Sequence, residues 1–163
     1  MIGKWFWISG AMAAAWLPCA ARAETETADA TITVYEDIQF SVLLDMDFGT
    51  IVSDTTGGTV NIDPVNNSRT CPATMTCTGP FSLSQLQLSG SDANVVVTYD
   101  SSFSLNGPGV PILVEPQFPG GSGAVVQLTG GSAIFKFGAL VHINPFQQPG
   151  AYNGIFLVDV SYQ

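Results

Sequence analysis

The chain has 163 residues, 46% of them hydrophobic, and its thirteen acidic side chains against four basic ones give a formal net charge of −9. So acidic a chain lacks the basic patch that nucleic acid or anionic lipid requires, and no nucleic acid partner is expected. One histidine and three cysteines leave little material for metal or nucleophilic chemistry, and no cofactor is expected.

Residues 1–23 read as an export signal. Lys4 supplies the positive start, Trp5–Leu17 the apolar stretch, and Ala21-Arg22-Ala23 the small-residue site, so cleavage is expected between Ala23 and Glu24. The apolar run is short of the roughly 20 residues that a membrane anchor needs. A lipoprotein reading through Cys19 is weaker, because Pro18 stands where a small residue is expected. No later segment is long and apolar enough to cross a membrane. The exported part, 24–163, has the size of a single β-domain and keeps only Arg69 and Lys136 as basic residues, against all thirteen acidic ones, a net charge of −11. Its two remaining cysteines, Cys71 and Cys77, are an even pair in an exported protein, which predicts a disulfide closing a short loop.

Beyond the signal no helix is expected. Val, Ile, Thr, Phe and Tyr fill short runs between Gly, Pro, Ser and Asn, which is strand composition. The expected strands are Thr31–Tyr35, Ile38–Leu44, Gly49–Val52, Thr59–Asp63, Phe81–Leu88, Asn94–Tyr99 and Ser102–Leu105, then Pro111–Pro116, Ala124–Leu128, Ala133–Ile143 and Ile155–Tyr162. Ala133–Ile143 is long enough to be one strand bent near Gly138. Many short strands at this spacing predict an all-β, antiparallel β-sandwich. Before them, Ala28, Ala30, Ile32 and Val34 alternate with Asp29, Thr31 and Thr33. That stretch is either the first strand of the domain or an extension that completes a neighbour's sheet.

Catalytic groups are scarce. His142 lies in an apolar run, Gly120-Gly121-Ser122-Gly123 is a turn and not a nucleophile elbow, and Asp45, Asp47 and Asp54 lack the ligand spacing of a calcium loop. Phe118, Phe146 and Tyr152 stand near glycines and prolines, where a sugar-binding face or a core position would both fit. No enzymatic activity is expected.

The sequence ends on a strand pattern. Phe156, Val158, Val160 and Tyr162 share one face, while Asp159, Ser161 and Gln163 share the other. With Tyr162 penultimate and Gly150 fourteenth from the end, this stretch resembles the C-terminus of bacterial chaperone–usher pilus subunits. Leu44-Asp45-Met46-Asp47-Phe48-Gly49-Thr50-Ile51-Val52, Gly57–Asp63 and Gly150–Tyr162 also resemble a widespread, uncharacterised pilin-like family of exported proteins. The resemblance implies an immunoglobulin-like sandwich lacking its last strand, and a fimbrial subunit assembled by donor-strand complementation. It implies a periplasmic chaperone, an outer-membrane usher and neighbouring subunits as partners, and a route through the periplasm to the cell surface. The partner-strand contact would be Gly150, Phe156, Val158, Val160, Tyr162 and Gln163. The competing reading is a self-complete secreted or periplasmic sandwich that binds or coats without catalysis.

Overall fold

The computed structural model describes residues 29, 31–52 and 55–163, and the folded unit is Val34–Gln163. The export signal with its Ala23–Glu24 site lies outside the described residues, as do Ala28, Ala30 and Asp54. Among the described residues the fold is all-β. Its strands are β1 (Gln39–Leu44), β2 (Thr50–Val52), β3 (Gly58–Asp63), β4 (Ser68–Thr70), β5 (Thr76–Thr78) and β6 (Ser84–Ser89), followed by β7 (Asn94–Tyr99), β8 (Phe103–Leu105), β9 (Ile112–Gln117), β10 (Ala124–Gln127), β11 (Ser132–Ile143) and β12 (Val158–Tyr162). No helix among these residues is long and apolar enough to cross a membrane.

Every ladder is antiparallel. The large sheet runs β1-β6-β11-β3-β4, with β9 and then β8 added through β11. A second sheet runs β10-β7-β12, and β2 and β5 form a two-stranded ribbon. Strand β11 is the spine. Its residues Ser132–Phe137 pair with β6, and from Gly138 onward it lies between β3 and β9. A Cβ at Gly138 would collide with the carbonyl oxygen of Ile62, so only glycine lets β3 approach at the point where the partners change.

Period-two alternation places the core. Leu86, Leu88, Phe135 and Phe137 from the large sheet meet Val95, Val97 and Leu128 from the region of the second, and Phe137 and Val97 are fully buried. Tyr99, Phe118 and Phe156 all pack their rings on Phe137, with centroids 4.9–5.5 Å away. A second cluster joins Val60, Ile112, Val114, Ala139 and Val141 to Met75. The whole is an immunoglobulin-like antiparallel β-sandwich.

Cys71 and Cys77 form the expected disulfide, with Cα atoms 6.2 Å apart, and both pack against the second cluster. Arg69 fastens the β2–β5 ribbon beside it. Its Nη1 donates to the carbonyls of Phe48 (2.8 Å) and Thr78 (3.3 Å), its Nη2 to that of Gly79 (3.2 Å), and the guanidinium lies over the Phe81 ring. One of the two basic residues beyond residue 23 is thereby committed to structure.

Several expected elements are corrected. Thr31–Tyr35 is no strand, and Ile32 (88% exposed) and Val34 (80%) bury nothing. Alternation fits these residues for a sheet, but the first strand of this domain is Gln39–Leu44. The last strand is shorter than Ile155–Tyr162, because β7 offers partners only from Val95 to Tyr99. Strands β4 and β5 are absent from the sequence expectation, since three residues carry no readable period.

Candidate functional site: a groove between β1 and β12

Strands β1 and β12 lie in different sheets, and each is the edge of its own: β1 pairs only with β6, and β12 only with β7. An edge strand presents a row of free backbone N–H and C=O groups. Between the two lies an open cavity of about 640 Å³. One wall is Phe40 and Val42 of β1 with Met46 and Phe48 beyond it, the other is Asn153–Val158, and Leu86, Phe103 and Leu105 also line it. Asp45 is its one charged lining residue. The groove is therefore lined mainly by apolar side chains and bordered by the free backbone edge of β1, with β12 reaching it at Val158.

The β1 wall follows from the strand period. Phe40 and Val42 share one face of β1, with Gln39 and Ser41 on the other, and the register shifts between Val42 and Leu44, which pairs with Gln85. An apolar face of this kind is ordinarily buried, yet all six residues of β1 are exposed, Val42 by 62%.

The residues expected along the last strand divide into two groups. Phe156 and Val158 line the groove as well as touching the core cluster beneath it. Val160 and Tyr162 pack against the same cluster together with Ile38 and take no part in the groove lining. Here Tyr162 is held by the chain's own N-terminal segment. Its ring stacks on that of Tyr35 at 4.7 Å, and its hydroxyl donates to the Glu36 carbonyl at 2.8 Å and accepts from the Ser91 N–H at 2.8 Å. The Glu36 N–H in turn donates to Ser91 Oγ at 2.8 Å. A Cβ at Gly90 would strike the Tyr162 hydroxyl. Gln163 extends the pairing by donating its N–H to the Asn94 carbonyl. Gly150 lies off the groove, in a turn at φ +151° that packs on Pro108. Ile32 and Val34 stay outside every sheet.

The other candidates resolve simply. His142 has Thr59 Oγ1 3.3 Å from Nδ1 and Glu115 Oε2 3.5 Å from Nε2, within the large sheet and away from the groove. Asp47 accepts from the Gly49 N–H, and no group of three or more possible metal ligands exists among the described residues. Phe118 packs in the core, Phe146 is exposed at φ +55°, and the Tyr152 hydroxyl donates to the Gln148 carbonyl. Sequence reading missed the β1 wall and the Tyr35–Glu36–Ser91 contacts. The alternation of Phe40 and Val42 was the available signal for the first, whereas the second joins residues too far apart in the chain to leave one.

The chain matches no curated protein and no solved structure. Residues 38–162 match the model of one family, described as a domain of unknown function (DUF4402). That match begins just before β1, ends on Tyr162 and takes in both walls of the groove, so the chain belongs to the DUF4402 family.

Proposed function

We propose that this chain is a structural subunit of a surface fibre of the pilus or fimbria type, in which each sandwich is completed by a strand from a neighbour. One observation carries the reading: a groove lined mainly by apolar side chains lies where the edge strands of two sheets face each other, while Ile32 and Val34 are exposed and paired with no strand. Strand addition uses this combination, with main-chain hydrogen bonds giving affinity and alternate side chains filling the groove.

The ends of the groove suggest the geometry of assembly. Tyr35 sits at the Tyr162 end, so whatever precedes it joins the domain there. The open part of the groove is at the opposite end, by Asn153 and Met46. An extension leaving one end and a groove opening at the other make a head-to-tail contact, which propagates as a filament. Before assembly, a periplasmic chaperone would lend the missing strand, and an outer-membrane usher would exchange it for the neighbour's. Export through the periplasm to the cell surface belongs to the same proposal, and none of it needs a catalytic group.

The test is the oligomeric state of the 24–163 chain co-expressed with a pilus chaperone, compared with Ile32→Asp. The reading expects a ladder of oligomers from the wild type and a chaperone-bound or monomeric Ile32→Asp. A wild-type chain that is a stable, cooperatively folding monomer without help would overturn it and favour the self-complete sandwich.

A further inference from the structure

The two walls of the groove are not equally free along their length. Toward Asn153 and Met46 they are open, but at the far end Tyr35, Glu36 and Ile38 already sit against β12 and the core beneath it. Two hydrogen bonds at Glu36, one to Ser91 and one from Tyr162, and the Tyr35–Tyr162 ring stack hold this segment, and a third bond ties Ser91 to Tyr162. Each bond is 2.8 Å long, which is good geometry for donors and acceptors of this kind.

We propose that Tyr35–Ile38 is a resident latch that closes the Tyr162 end of the groove and limits the incoming strand to a short one. The inference rests on the strand-addition reading above. The open wall Asn153–Val158 spans six residues. At about 3.3 Å per residue it accepts an extended segment of roughly 20 Å. The occupant to which this commits is Asp29–Val34 of a second copy, six residues in which Ala30, Ile32 and Val34 share a face.

The latch also fixes direction. Val34 is followed at once by Tyr35 and its own folded domain, which has no room beside the closed end. The donor domain therefore lies at the Asn153 end, with Val34 near it and Asp29 pointing toward the latch, antiparallel to β12. Residues before Asp29 would run into Tyr35 of the acceptor and add nothing to its binding.

Two fluorescent peptides test this against the full 24–163 chain carrying Ile32→Asp, which keeps its own donor out of the groove. One peptide is residues 29–34, the other residues 24–34. With the latch intact, both bind within about threefold of each other. When Tyr35→Ala is added, the longer peptide gains at least tenfold over the shorter, and Tyr162→Phe, which keeps the stack but loses the hydroxyl, gives a smaller gain in the same sense. A tenfold preference for the longer peptide with the latch intact, or no change in preference in either latch variant, overturns the latch alone. Binding of neither peptide overturns the groove reading beneath it. Should Tyr35→Ala not fold, Tyr162→Phe carries the comparison.

Discussion

The two ends of β12 carry the same pattern and meet different fates. Phe156, just before it, and Val158 at its start face a groove, while at its end Val160 and Tyr162 face a core finished by Ile38 and Tyr35. Alternation tells which side chains seek burial, but it is silent about what buries them. Here the cover comes from a segment more than a hundred residues away, and it reaches only half the strand. The difference teaches that a sandwich edge can be half complete, which is the state a strand-exchanging subunit requires.

The largest expected effect separates filled core from open wall. Phe137 is fully buried under three other rings, so Phe137→Ala is expected to cost about 3–5 kcal/mol. That is a large part of the whole stability of an ordinary domain. Phe156→Ala, at a half-buried wall position, should cost less than half as much and instead weaken strand capture. Urea unfolding of both variants checks this, and equal losses would erase the distinction between the ends.

Next comes the backing of the open end. Cys71 and Cys77 pack on the same cluster as Met46, Phe48, Phe103 and Leu105, which line the groove. Loop entropy for so short a ring gives about 2.4 kcal/mol, so reduction should lower stability by that order. Hydrogen exchange should rise around Phe48–Ile51 well before it rises at Val160–Tyr162.

At the closed end, Tyr162→Phe removes a donor and an acceptor shared with Glu36 and Ser91, for a loss of about 1 kcal/mol in thermal unfolding. The smallest effect lies away from both ends. The Asp63 carboxylate accepts from the Asn66 side chain and from the Asn66 and Val65 N–H groups, which hold its pKa below the ordinary value of 3.8. A lowered folded-state pKa stabilises above the unfolded value, and that contribution is lost as pH falls through the folded one. Asp63→Asn should therefore melt slightly below the wild type at neutral pH, with the gap closing under strong acid.

Much of the fold is legible from residues alone. Phe135–Phe137 alternates cleanly and Val95–Val97 is a β-branched run, and the structure places both in core strands. The partner change at Gly138 is signalled by a glycine inside a strand too long for one partner. The short strands β4 and β5 are hidden because their order comes from Arg69 and the disulfide, not from a hydrophobic period. The groove wall of Phe156 and Val158 can be read from the last strand, but its opposite wall needs the pairing of β1 with β6. The latch leaves no sequence signal, since Glu36 contributes through its backbone and Ser91 through an N–H and a hydroxyl.

The central claim is that the groove receives a strand, and amide exchange at its two edges tests it most directly. Oligomers of the 24–163 chain should be compared with the monomeric Ile32→Asp variant, following the amides of Phe40–Leu44 and Phe156–Val160. Strand addition predicts that the unpaired amides on both edges become protected together in the oligomer. Unchanged exchange at both edges, in material that is nonetheless assembled, would contradict it.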